Sequence, residues 1–144
     1  MLHVKLIEPP CTERYARWCE RSGNHSDFPP TRSFSYVKEE AVKNNIQVLQ
    51  PERARDEAFV EELRKYNADV FVVVAFGQLL PASIINMPRY GCINVHASLL
   101  PKYRGASPIQ WAVIDGCEYS GVTTMKMDEG LDTGDILMVE KVKL

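Results

Sequence analysis

The sequence predicts an α/β fold with a doubly wound, mostly parallel sheet and flanking helices. A continuous apolar run, rich in β-branched residues, predicts a strand over 69–75 that is buried on both faces, as in a parallel sheet. An amphipathic helix is predicted directly before it, over 51–66. Helices that alternate with such strands are typical of crossover units. A chain of 144 residues is long enough for one domain with a substantial core.

The first part of the chain gives weaker signals. We expect a strand over 1–7, a helix over 12–21 with Thr12 as its N-cap, and a loop over 22–35 marked by glycine, asparagine and proline. These elements do not by themselves indicate a function.

The middle of the chain gives clearer patterns. A short helix is predicted over 36–44 and a short strand over 46–49. In the helix over 51–66, Phe59 and Leu63 follow helical spacing, with charged residues elsewhere. The alternation of helices and strands therefore continues up to the apolar strand.

The last third of the chain predicts one helix and two strands. Ser107 and Pro108 indicate a helix start, with the serine as N-cap, and Gly116 indicates its end. Strands are predicted over 123–127 and over 136–142, the second at a sheet edge because of its charged residues. The predicted buried positions of the helix are Ile109, Ala112 and Val113.

A polar pair, Asn94 and His96, ends a short apolar run. Residues two apart on a strand face the same side, so the amide and the imidazole would lie together where α/β folds bind ligands. An imidazole can exchange a proton near neutral pH, and an amide can donate to a developing oxyanion. Taken alone, a histidine here is more simply explained as a satisfied strand end.

An acidic loop over 128–135 favours a functional role for His96 over a purely structural one. It is interrupted by glycines and flanked by strands, so it can bring a carboxylate to His96. Asp128 and Asp135 are interpreted as groups that accept backbone N–H bonds within the loop.

Linked motifs in this region resemble those of the folate-dependent formyltransferases, most closely the branch that acts on methionyl-tRNA. The resembling segments are Asn94-x-His96-x-Ser98-Leu99-Leu100-Pro101, Arg104-Gly105, Pro108-Ile109, Gly121-Val122-Thr123 and Gly130-Leu131-Asp132-Thr133-Gly134-Asp135. The resemblance implies a Rossmann-like variant, with residues 37–144 as a partial catalytic domain. Residues 1–36 form a divergent segment that lacks the family's opening turn and basic loop.

The resemblance implies transfer of a formyl group from 10-formyltetrahydrofolate to the amino group of methionyl initiator tRNA. Asn94, His96 and Asp132 would then be catalytic: the first two would stabilise the oxyanion, and Asp132 would support the imidazolium. The residues that would line the folate site are Phe76, Gln78, Leu80, Ser98, Leu99, Leu100 and Pro101.

Other functions remain open at this stage. The acceptor could be a sugar-nucleotide amine, glycinamide ribonucleotide or water, or the chain could be a truncated folding module or folate binder without turnover. A net charge of −2 gives no general attraction to nucleic acid, so tRNA binding would need a local basic patch.

Neither a metal site nor a membrane segment is predicted. Three histidines and four cysteines show no ligand spacing, and we expect free thiols in a cytoplasmic protein. The sequence contains neither a signal peptide nor a long apolar span.

Overall fold

The computed structural model describes residues 6–7 and 36–144. The chain divides into two compact units, 1–53 and 54–144. The helix predicted over 12–21 and the loop over 22–35 lie outside the described residues, as does most of the first strand.

The described residues of the first unit form a small parallel sheet and one helix. Strand β1, Leu6–Ile7, pairs in parallel with β2, Val48–Leu49, and helix α1, Tyr36–Lys43, precedes β2 in the chain. The side chain of Asn44 donates to the Glu40 carbonyl at 2.8 Å and so caps the end of α1. The helix predicted over 36–44 is thus confirmed.

The second unit is built on a four-stranded sheet. Its elements are α2 (Glu57–Arg64), β3 (Phe71–Val74), α3 (Ala82–Ile85), β4 (Cys92–His96), α4 (Pro108–Ile114), β5 (Tyr119–Lys126) and β6 (Ile136–Lys143). The strand order is β3-β4-β5-β6; β3 and β4 are parallel, whereas β5 is antiparallel to both of its neighbours. The α/β fold class is confirmed with a mixed sheet, and β6 lies at the predicted edge.

Helix α2 is shorter than the helix predicted over 51–66. It begins at Glu57 because Asp56 has an extended backbone, with φ −67° and ψ 129°. Upstream, the backbone N–H of Ala54 donates to the Gln78 side chain at 2.9 Å. The predicted start of this helix was wrong, although Leu63 is buried on its inner side.

Strand β3 is not buried on both faces, contrary to the sequence prediction. Val72 and Val74 are 63% and 60% exposed, whereas Phe71 and Val73 are half-buried. Because side chains alternate along a strand, only one face of β3 packs inward. An unbroken apolar run does not show which face will be covered.

Helix α4 also departs from the prediction in its details. Ser107 precedes it with φ 58° and ψ 43°, and its side chain makes no capping bond. Of the predicted buried stripe only Ala112 is buried; Ile109 and Val113 are exposed. A seven-residue helix that contacts the sheet through β5 buries only a narrow line of side chains.

The core of the second unit lies beside β4 and β5. Cys92, Met125 and Ile84 are almost fully buried, and the Cys92 thiol points at the Ile84 carbonyl, 3.7 Å away. Burial raises the pKa of Cys92 to about 11, so this thiol is neutral at pH 7. None of the helices in the described part of the chain has the length and apolar character needed to cross a membrane.

Candidate active site

Strand β4 positions Asn94 and His96 at the end of the sheet. The two residues share a face by alternation and lie opposite Met125 and Thr123 of β5. His96 is the last residue of the strand and is only 7% exposed. Asn94 is paired on both sides, with Val73 of β3 and with β5, whereas His96 is paired with β5 alone.

Asp132 reaches this pair from the loop between β5 and β6. Its Oδ1 accepts a hydrogen bond from Asn94 Nδ2 at 3.0 Å, and its Oδ2 lies 3.5 Å from His96 Nδ1. The side chains of His96 and Asp132 are 8% and 11% exposed. Water screens such a pair less than one on the surface.

The Asp132 carboxylate is also fixed by the turn that follows β4. The backbone N–H of Gly105 donates to Oδ2 at 2.8 Å, and Arg104 Nε donates to the Asp132 backbone carbonyl at 2.8 Å. Asp132 itself has φ +52°, a conformation that needs support from its surroundings. Two segments distant in sequence thus hold one carboxylate.

The other side of the His96 ring is bound to the backbone. Nε2 lies 2.8 Å from the carbonyl oxygen of Tyr103. A carbonyl oxygen can only accept, so Nε2 carries a proton and Nδ1 is the nitrogen turned toward Asp132. A ring with both nitrogens protonated can donate to both oxygen neighbours.

The conformation of the acidic loop is fixed by hydrogen bonds within the loop and by close backbone packing. Asp128 accepts from the Gly130 N–H at 3.0 Å and from the Thr133 hydroxyl at 2.7 Å, as predicted for a loop-capping residue. A Cβ on Gly134 would lie 1.7 Å from the Lys126 carbonyl oxygen, so no other residue fits there without movement. For Asp135 it is the backbone carbonyl that closes the loop, by accepting from Lys126 N at 2.9 Å.

The turn after His96 is held by two buried hydroxyls. Thr123 Oγ1 donates to the Ser98 carbonyl at 2.7 Å and accepts from Leu100 N at 3.2 Å. Ser98 Oγ donates to the Lys102 carbonyl at 2.6 Å, and the Leu100–Pro101 bond is cis. Of the expected folate residues in this turn, Ser98 and Leu100 are therefore buried in the protein's own contacts.

The remaining expected folate residues differ in exposure. Leu99 is half-buried and Pro101 exposed; in the segment after β3, Phe76, Gln78 and Leu80 are half-buried. The role of these residues in folate binding stays a prediction.

Three groups of the site were not identified from the sequence: the Tyr103 carbonyl, the Gly105 N–H and the Thr123 hydroxyl. Two of them are backbone atoms, which carry no residue-type signal. Thr123 lies in one of the resembling segments, but its position beside His96 follows from the β4–β5 register. Within the described residues, no three histidine, cysteine or carboxylate side chains are grouped to hold a metal ion.

Residues 12–144 match the family described as formyl transferase. A methionyl-tRNA formyltransferase from Lachnospira eligens is 93% identical over 122 residues, which are 82% of this chain and 39% of that protein. The chain thus spans well under half of the length of this relative.

Solved structures show the same fold. Phosphoribosylglycinamide formyltransferase from Bacillus halodurans superposes with a TM-score of 0.71 at 22% identity, covering 96% of this chain and 79% of that one. A formyltetrahydrofolate deformylase from Pseudomonas syringae gives a TM-score of 0.66 at 24% identity, covering 96% and 50%. The match over residues 12–144 shows that the chain belongs to the formyl transferase family.

Proposed function

We propose that this chain carries the catalytic groups for formyl transfer from 10-formyltetrahydrofolate to the α-amino group of methionine on initiator tRNA. The observation that supports the proposal is the convergence of an amide, an imidazole and a carboxylate, Asn94, His96 and Asp132, on one point. The 93% identity to a methionyl-tRNA formyltransferase supports the choice of acceptor. The proposed setting is the cytoplasm.

The reaction forms one C–N bond and breaks another. The acceptor amine attacks the formyl carbon, the formyl oxygen gains negative charge, and the bond from this carbon to the donor nitrogen then breaks. The amine loses one proton and the leaving nitrogen gains one. A catalyst needs donors for the charged oxygen and a group that moves the proton.

The chain's own residues match these needs. Asn94 Nδ2 has two hydrogens and gives one to Asp132, which leaves the second for the reacting oxygen. The 3.5 Å separation between His96 Nδ1 and Asp132 Oδ2 is longer than a good hydrogen bond, so a protonated Nδ1 is not committed to Asp132 and can donate to a formyl oxygen placed beside it. The Asp132 carboxylate lies beside Nδ1 and can help carry the amine proton away through water.

The donor, 10-formyltetrahydrofolate, would supply the formyl carbon. Half-buried apolar side chains at Phe76, Leu80 and Leu99 fit a flat heterocycle, since they offer apolar area without filling the core. In the described part of the chain, no buried side-chain nitrogen or oxygen lacks a partner. Polar recognition of the donor would therefore rest on half-buried or backbone groups.

The test is a transfer assay on the chain with three acceptors: methionyl initiator tRNA, glycinamide ribonucleotide and water. We expect formylated methionyl-tRNA as the product, and a rate lower by about a hundred-fold or more in His96→Ala. Asn94→Ala should act in the same direction, whereas Asn86→Ala, an exposed amide after α3, serves as the matched control.

Each other outcome has a distinct meaning. Formate release without an acceptor would indicate a hydrolase, and formylation of glycinamide ribonucleotide would indicate another acceptor class. Heat on titration with 5-formyltetrahydrofolate, but no transfer, would indicate a folate-binding module. A transfer rate unchanged by His96→Ala would refute the proposed mechanism.

A further inference from the structure

We propose that Tyr103 is a positioning residue for His96: its backbone carbonyl fixes the ring proton on Nε2, and its side-chain hydroxyl holds that carbonyl in place. The proposal rests on the role of His96 in the proposed function. It deepens that function by adding a residue that acts through His96 and does not touch the substrate.

The first step is the contact to the ring. The Tyr103 carbonyl oxygen lies 2.8 Å from His96 Nε2, and His96 is almost fully buried. Removing this acceptor would free the ring to rotate or to place its proton on Nδ1. In either case the orientation or the protonation of Nδ1 relative to Asp132 would no longer be fixed.

The second step is the backbone conformation of Tyr103. Its φ is +57°, in the left-handed region that a residue with a side chain seldom occupies. This conformation turns the carbonyl toward the ring and must be held by neighbouring contacts. On one side the Ser98 hydroxyl binds the Lys102 carbonyl, and on the other the Gly105 N–H binds Asp132.

The third step is an anchor at the far end of the side chain. Tyr103 Oη donates to Asp115 Oδ2 at 2.8 Å and lies 3.1 Å from Cys117 Sγ. The hydroxyl has one proton and gives it to Asp115, so the Cys117 thiol can donate to the hydroxyl oxygen. Hydrogen bonds to Cys117 and then to Asp115 raise the pKa of Tyr103 above its ordinary value.

Asp115 and Cys117, the two partners of the Tyr103 hydroxyl, lie at the C-terminal end of helix α4. Asp115 follows the last turn, with its N–H bonded to the Trp111 carbonyl at 2.9 Å, and Cys117 N–H binds the Ala112 carbonyl at 3.0 Å. Ala112 is fully buried. Tyr103 therefore links the imidazole, through its backbone carbonyl, to the end of helix α4, through its side-chain hydroxyl.

The experiment measures exchange with water of the His96 Nε2 proton, by NMR on the full chain. We expect a protected proton in the unchanged protein. In Tyr103→Phe we expect exchange to be faster by about tenfold or more, the scale of one lost hydrogen bond. Tyr90→Phe, which removes the hydroxyl of an exposed tyrosine, is the matched control and should leave exchange unchanged.

A second variant removes the same bond from its other end. Asp115→Ala should accelerate exchange as Tyr103→Phe does, and the double variant should be no faster than the faster single one, since both remove one interaction. In the transfer assay, kcat should fall in both single variants while KM for the formyl donor stays unchanged.

The outcomes separate this proposal from the proposed function. Faster exchange in a chain that transfers no formyl group would leave the positioning role standing and refute the function. An unprotected Nε2 proton in the unchanged chain, or exchange unaffected by Tyr103→Phe, would overturn the proposal. A lower melting temperature with unaltered exchange would assign Tyr103 a purely stabilising role and would also overturn it.

Discussion

The loop end of β4 and the outer strand β6 are organised in opposite ways. At the end of β4, polar side chains are buried and bound to one another: His96 and Asp132 are mostly enclosed, and Ser98 and Thr123 are fully buried. Along β6, every residue is exposed, including apolar ones such as Met138 at 64%.

This difference shows that side-chain contacts fix the geometry at the end of β4, whereas backbone pairing positions β6. The polar groups of the candidate site bind partners that are distant in sequence, so their arrangement depends on how the turn after β4 meets the loop between β5 and β6. The exposed apolar residues of β6 contribute to the sheet through backbone pairing with β5. Substitutions in the two regions should therefore differ sharply in effect.

The largest effect is expected from Asp132→Asn. The variant keeps the shape of the side chain but loses the negative charge beside His96, so formyl transfer should fall by about a hundred-fold or more. The measurement is the transfer rate at saturating donor and acceptor. The control is Asp135→Asn, which changes an exposed carboxylate in the same loop. Equal transfer rates in the two variants would show that the carboxylate beside His96 has no special role.

A smaller effect, on stability, is expected from Thr123→Val. This isosteric change removes the hydroxyl that binds the Ser98 carbonyl and the Leu100 N–H, so the free energy of unfolding should drop by about 1–3 kcal/mol. Urea denaturation gives the value. Thr124→Val, at the next and less buried position, should cost less, and a neutral result at Thr123 would show that the turn does not depend on this hydroxyl.

The smallest effect is expected from Met138→Gln on β6. Because this side chain is exposed, the unfolding free energy should change by no more than about 0.5 kcal/mol. Urea denaturation beside Thr123→Val makes the comparison direct. A loss as large as that of Thr123→Val would mean that the outer face of β6 is covered in solution, and the contrast between the two regions would fail.

Several elements were accessible from the sequence because their signals are local. The helical spacing of Leu63 and the charged residues of β6 predicted a helix and an edge strand that are observed. The start of α2 was missed because it depends on Asp56 backbone geometry. Exposure of Val72 and Val113 was missed because a residue's hydrophobicity does not state what packs against it.

The sequence by itself determined the α/β class from the pattern of residue types along the chain. It also predicted Asn94 and His96 as site residues from their spacing on a strand, and Asp132 from the resemblance to the formyltransferases. Tertiary structure alone decided which His96 nitrogen faces Asp132, because the partner of the other nitrogen is the backbone carbonyl of Tyr103. Every residue has a carbonyl, so only folding can select one. The division of the chain at residue 36 stays a prediction.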